Sequence, residues 1–211
     1  MLKAPRSSSG ATTKSAADGR IRLVKGPQYD PEIGAWIGPF VMAPTNTHVV
    51  RRSLVLAEAS QQPYGPGFTY QEAMKFDAPM ARVRATASTA GLGLLFVGLR
   101  QPATRALLER ILPKPGTGPP VKTMDTGWFT CDLLGIAEDG RTLRGLIRYD
   151  GDPGNRATTV FVCESALAVA LDGDGLPGGR SRGGVLTPAT GLGDRLVERL
   201  RRAGTVIQIL R

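Results

Sequence analysis

Between Arg84 and Arg100 lie 15 consecutive residues without a charge, ATASTAGLGLLFVGL. That is shorter than the ~18 or more residues of a bilayer-spanning helix. Two settings remain for it: a helix buried in a domain core, or an interfacial or re-entrant segment. The basic flanks support the second, as does the amphipathic ATRALLERIL that follows. There Leu107, Leu108, Ile111 and Leu112 fall on one helical face, while Arg105, Glu109 and Arg110 lie largely elsewhere. Pro113, Pro115, Pro119 and Pro120, with Gly116 and Gly118, stop the helical pattern and mark an exposed connector.

The whole chain has 211 residues, 41% hydrophobic and 21% charged, which excludes wholesale disorder and a polytopic membrane protein. Residues 1–20 lack the apolar stretch of a secretory signal and are expected to be a disordered tail, with one domain over 21–211. Lys and Arg number 27 against 18 acids, a formal +9, so acidic partners are expected. The basic residues are scattered, with no run of five and no interleaved aromatics, and no nucleic acid is expected as a partner. Cys131 and Cys163 form no C-x-x-C pair and suit a reducing cytosol. His48 is the only histidine, which removes mechanisms needing two imidazoles, and no G-x-S-x-G elbow is present. No metal site is expected.

Ile21, Leu23 and Val24 read as a first strand and AWIGPFVMAP as a second extended segment. Thr45, Asn46 or Thr47 then caps a helix through His48 to Ala59, with Val49, Val50, Ser53, Leu56 and Ala57 facing the core, Leu54 near the edge of that face and Arg51 nearly opposite. Arg52 falls at the boundary of that face: either an exposed surface arginine, or one that lays its stem on the core and offers its guanidinium to an anionic group. After the Pro63–Gly67 turn, Phe68, Tyr70 and Glu72 alternate as a strand, and Tyr64 and Tyr70 either line a pocket or cover a core edge. Asp139-Gly140 predicts a tight type I′ hairpin between TGWFTCDLLGIAE and RTLRGLIRYD. Asp152-Pro153 starts the helix ATTVFVCESALAVAL, expected to be largely buried with Cys163 as a packing residue. Thr187-Pro188 starts a last helix with Leu192, Leu196, Val197 and Leu200 as its stripe, Gly204 ends it, and TVIQIL is a final strand.

Gly173 to Gly178 matches G-x-G-x-x-G, but it follows a helix and holds Pro177 in the would-be phosphate turn. No P-loop occurs. The sequence offers no seat for a pyrophosphate.

The order of GPFVMAPTNTHVVRRS, YGPGFTYQEAM, LLERILPKPGTGP, GWF, GDPG and GGVLTPATGLGDRLVERLRRAG resembles the back half of the saccharopine dehydrogenase-like oxidoreductases, in particular the bacterial trans-acting enoyl reductases. Asn155 stands where members of that family commonly carry an aromatic after GDPG. The resemblance implies an α+β fold, a mixed, largely antiparallel sheet with helices packed on one face, without the family's N-terminal Rossmann domain. It implies the C-terminal substrate and dimerisation part of a reductase of acyl-lipid or polyketide-like intermediates, incomplete alone. NADP is then expected only with a partner Rossmann-domain polypeptide, and no cofactor on this chain by itself. Under it, Arg52 meets an anionic part of the substrate, Tyr64 and Tyr70 line an acyl channel, and His48 either donates a proton there or is a surface group. A homo-oligomer in the cytoplasm is expected, peripheral at the inner face of the plasma membrane where an anionic surface holds it. The alternative is a non-catalytic scaffold on such a membrane surface.

Overall fold

A computed structural model describes residues 21–210 except 66 and 112–115, and leaves out the side chains of 108, 109 and 111. The expected tail, and the parts of the two proline segments at Pro66, Leu112, Pro113 and Pro115, lie outside the described residues. Short extended segments open the chain. Strand β1 (Ile21–Leu23) is followed by β2 (Gln28–Asp30) and β3 (Ala35–Gly38), which form a hairpin. Asp30 turns it, its carboxylate accepting the backbone N–H groups of Glu32 at 3.0 Å and Ile33 at 3.1 Å.

Helix α1 runs Ala43–Ala59, so it starts five residues before His48, and the capping expected of Thr45, Asn46 or Thr47 does not occur. Pro44 sits in the first turn, where its missing N–H costs nothing, and the Thr47 hydroxyl donates to the Pro44 carbonyl at 2.7 Å. Ser53 and Ala57 are buried as expected, but Val50 and Leu56 are only half-buried and the buried side is turned toward Leu54. It carries Ala43, Thr47, Ser53, Leu54 and Ala57, with Val49 exposed and Arg51 half-buried. Small residues on that side admit close neighbours, and this outweighs the greater bulk of Val49.

Strands β4 (Tyr70–Glu72) and β5 (Met74–Phe76) follow; β4 pairs in parallel with β1, and β5 adds antiparallel to β3. Ile37 on β3 and Leu54 on α1 are the largest fully buried side chains, each worth about 1.5–3 kcal/mol of transfer free energy. Helix α2 (Ala81–Arg100) contains the uncharged run, but only Ala85 and Gly98 are buried in it, so of the two settings left open the core helix does not hold. Its first half docks on β3, with Ala85 and Thr89 against Gly38, and in its second half Gly98 is buried while Gly93 to Val97 are exposed.

Helix α3 (Pro102–Ile111) and α4 (Val121–Thr126) lead to the nine-residue strands β6 (Trp128–Ile136) and β7 (Thr142–Asp150). The hairpin is present, but its turn is not type I′: Gly140 has φ +82° while Asp139 has no positive φ. Gly140 N–H donates to Ala137 O at 3.0 Å and Ala137 N–H to Arg141 O at 2.8 Å, the longer loop that ends on one left-handed glycine. Helix α5 (Arg156–Leu171) buries only Ala157 and Ala168, and Cys163 is exposed, contrary to the expected buried helix. One side of it meets the sheet, Phe161 lying edge-on to Phe129 and Tyr149 at 6.0 and 6.2 Å, while Val162, Val169 and Leu171 on other sides are uncovered.

The last expected helix is two: α6 (Pro188–Gly191) and α7 (Gly193–Arg202), broken at Gly193, whose φ is +53°. A Cβ there would lie 2.9 Å from Pro177 Cγ, so the break also lets the preceding loop approach. Strand β8 (Val206–Leu210) closes the chain on β7. The fold is therefore α+β and largely antiparallel, as expected, but not one sheet with helices on one face. The three sheets are β1-β4, β2-β3-β5 and β6-β7-β8, and among the described residues parallel pairing is confined to β1 and β4. Of the short strands only β2 and β3 pair as a local hairpin, β1 and β3 taking partners from beyond α1, and among the described residues the long hairpin adds β8. No helix among the described residues is long and apolar enough to cross a membrane.

Candidate functional site

The site forms where α1 grips the loop before α6. Arg52 donates to the Val185 carbonyl through Nε at 3.3 Å and Nη2 at 3.0 Å. One residue on, Ser53 Oγ lies 2.8 Å from Thr187 Oγ1 in a buried contact. Ser53 also donates to Val49 O at 3.0 Å, so its proton is committed and the Thr187 hydroxyl is the donor between them. Thr187 is the N-cap of α6 and forms a reciprocal capping box with Thr190. The GGVLTPAT segment is thereby fixed against the middle of α1.

Two shallow hollows flank Pro177. One, of about 200 Å³, lies between the end of α1 (Leu56, Ala57), Tyr64, Arg182 and Ala189. Arg182 donates to Ser60 Oγ at 3.2 Å, and the Tyr64 ring rests against Phe68 at 5.1 Å between centroids. The other, of about 350 Å³, is bounded by Leu176, Leu192, Asp194, Arg195 and Glu198. The first hollow joins an apolar and aromatic wall to a guanidinium edge, a combination suited to an apolar chain with an anionic or carbonyl end.

A separate polar cluster lies near the start of α1. Asn46 Nδ2 donates to Glu72 Oε1 at 2.8 Å, with Tyr70 and the Cys131 thiol beside that carboxylate. Burial first, then the Glu72 charge, pushes the Tyr70 phenol up to about 12. Burial of its sulfur first, then the Glu72 and Asp132 charges, raises the Cys131 thiol, so it is not a thiolate nucleophile at neutral pH even though the residue as a whole is exposed. Nearby, Lys75 Nζ pairs with Asp132 at 3.1 Å.

The four residues singled out from sequence thus do not converge on one cavity. Tyr64 lines a hollow, Tyr70 belongs to the cluster near the other end of α1, and Arg52 holds a loop. His48, one turn before Arg52, is exposed. Arg182 and the Ser53–Thr187 contact were not foreseen as site features; Thr187 carried a capping signal, while nothing in the spacing of Arg182 indicated its partner. Asp152 is a turn and cap residue: Oδ1 accepts from Arg156 N and Oδ2 from Asn155 N, both at 2.9 Å, and these bonds, Arg156 first, lower its carboxyl. The helix begins at Arg156, three residues after Pro153, because Asp152 to Asn155 form this turn first. Gly127 faces it so closely that a Cβ would lie 2.8 Å from Asp152 Cα, which accounts for the glycine of GWF. Among the described residues no group of His, Cys, Asp and Glu could hold a metal ion.

A trans-acting enoyl reductase of Mycobacterium ulcerans is 39% identical over 196 residues, covering 89% of this chain and 44% of that protein. One from Mycobacterium tuberculosis is 40% identical over 184 residues, 84% of this chain and 42% of its own length. A second M. tuberculosis protein that carries the enoyl reductase name is 38% identical over 192 residues, with 89% and 44% covered. This chain is similar to trans-acting enoyl reductases. It spans less than half the length of these curated relatives. Their names carry the enoyl reductase side of the expected resemblance and not the saccharopine dehydrogenase side. No family model matches the chain, and no solved structure matches it.

Proposed function

We propose that this chain is the substrate-holding and subunit-associating part of an enoyl reductase, of the wider saccharopine dehydrogenase-like kind, which works with a dinucleotide-binding domain on a separate polypeptide. The observation that carries this reading is the 38–40% identity to trans-acting enoyl reductases across most of this chain and under half of theirs. The described residues do not fit a dinucleotide themselves: Gly173 to Gly178 follows α5, not a strand, and the parallel strands are three residues each. NADPH, held by the partner domain, would supply the hydride.

This chain's own share is to bind an α,β-unsaturated acyl group. Tyr64 and Leu56 offer the apolar wall, and Arg182 a donor edge for the carbonyl or anionic end. Arg52 is a positioning residue that, through the Val185 carbonyl, sets the loop leading into α6, whose Ala189 lines the hollow, and His48, exposed one turn earlier on α1, is a further donor for the substrate's polar end. Tyr70, held protonated beside Glu72 near the start of α1, stands apart from this hollow. A second copy of the chain is the expected neighbouring subunit.

The test is to co-express the chain with the portion of the M. ulcerans relative that it does not match. Co-purification, and NADPH oxidation with an enoyl thioester only when both are present, is the expected result. Tight, saturable quenching of Trp fluorescence by NADPH in the isolated chain would show a nucleotide site here and overturn the division of labour.

A further inference from the structure

We propose that the corner between α2 and α3 inserts into one leaflet of an anionic bilayer and holds the protein at a membrane surface. This inference stands apart from the reductase reading, since it uses neither hollow and no cofactor. Its basis is how the two halves of α2 differ. In the first half Ala85 is buried, and Ala81 and Thr89 are half-buried. From Gly93 to Val97 every residue is exposed, with Leu94 at 74%, Phe96 at 51% and Val97 at 59%.

Five successive helical residues, each turned about 100° from the last, look in every direction around the axis. A protein partner, including a second copy of this chain, lies along one stripe of a helix and leaves the other sides in water. Acyl chains surround it. Only Gly98 in this half is buried, and Leu107 on the adjoining α3 is also exposed, so the apolar surface continues round the corner.

The charges fit an anionic headgroup layer. Arg100 stands at the corner and Arg105 and Arg110 follow on α3, whereas Arg82 and Arg84 at the other end of α2 turn to the Trp36 ring and the Asp77 carbonyl. From Ala78 to Leu108 the sequence has no acidic residue. The segment from Gly93 to Leu99 rises only ~10 Å. An apolar tip of that height reaches part-way into one leaflet of a ~30 Å hydrocarbon core, and no described helix is of the spanning kind.

The test is flotation of the full chain with phosphatidylcholine vesicles containing about a third phosphatidylglycerol, at low salt, against pure phosphatidylcholine. The wild type is expected to float with the anionic vesicles. Leu94→Ser with Phe96→Ser should reduce the bound fraction at least ~tenfold, and Arg100→Glu should weaken binding to anionic vesicles alone. Far-UV circular dichroism checks that the variants fold. Independently, Phe96→Trp should shift its emission to the blue on adding anionic vesicles. Failure of the wild type to float, or flotation untouched by the double substitution, overturns the proposal. A wild-type dimer that the double substitution makes monomeric, without flotation, overturns it in favour of an interface between copies.

Discussion

Ser53 on α1 and Thr187 at the head of α6, 134 positions apart in the chain, hold their hydroxyl oxygens 2.8 Å from each other in a buried contact. Each also has a second partner, Val49 O for Ser53 and Thr190 Oγ1 for Thr187. Removing one hydroxyl therefore leaves the other still bonded. Ser53→Ala should cost about 1 kcal/mol and Thr187→Val, which also removes the capping box, about 1–2 kcal/mol. The double variant should cost less than the sum, because the shared bond is lost only once. Urea unfolding of the four proteins gives the coupling directly; strict additivity would show that the contact contributes nothing to holding the loop.

A second tie joins α7 to α5. Arg199 Nε meets Asp172 Oδ2 at 2.6 Å and its Nη1 meets Glu164 Oε2 at 3.1 Å, with the Arg199 side chain only 12% exposed. The Arg199 hydrogen bond holds the Asp172 carboxyl below the usual carboxylate range. A lowered folded value means that the unfolded chain takes up the proton first. The stabilisation is full above the ordinary carboxylate value of ~3.9 and is lost as pH falls through the folded value. Asp172→Asn should thus melt at a lower temperature than the wild type at neutral pH, and the two should converge in acid. A gap that persists unchanged into strong acid would mean that the carboxylate charge is not its source.

Tyr70 titrates in the opposite sense. Its phenol is pushed up to about 12, mainly by burial. Between the ordinary tyrosine value of ~10 and that point the unfolded chain has released a proton that the folded chain keeps. Stability should fall as pH rises through this window. In an absorbance titration of the phenolates Tyr70 should give a late step near 12. Tyr70→Phe should remove that late step and flatten the alkaline slope of stability; a wild-type titration without a delayed phenolate would contradict the placement of Tyr70 against Glu72.

The sequence was informative where a signal is local. Thr187-Pro188 marked a helix start, and the alternation of Phe68, Tyr70 and Glu72 matches their half-buried side. The β6–β7 hairpin and β8 were legible for the same reason. Hydrophobicity misled where packing decides. Val49 is exposed while Thr47 is buried beside the expected Ser53, because that side of α1 needs small groups able to bond their neighbours. The apolar content of α5 predicts burial, yet Val162, Val169 and Leu171 are uncovered, while the uncharged run of α2 fits a core and an interface equally by composition. Arg182 and Ser60 are 122 positions apart, and no periodicity links such a pair. The hollow that they border was therefore invisible before the fold was known.

Gly193 separates the expected single helix from the observed pair. In a continuous helix from Pro188 onward, Gly193→Ala would replace the poorest ordinary helix former by the best and stabilise by about 0.5–1 kcal/mol. In the observed arrangement Gly193 has φ +53°, where a side chain costs roughly 1–2 kcal/mol. The new methyl would also stand 2.9 Å from Pro177 Cγ, against the ring that divides the two hollows. The substitution should therefore destabilise by about 1–3 kcal/mol, adding the clash to the backbone strain. The sign alone decides the matter, and equilibrium unfolding in urea reads it. The Pro177 loop should move outward to relieve the contact, so on the proposed reductase reading KM for an enoyl thioester should rise more than kcat falls. An alanine variant more stable than the wild type would restore the unbroken helix and leave Pro177 without its close neighbour.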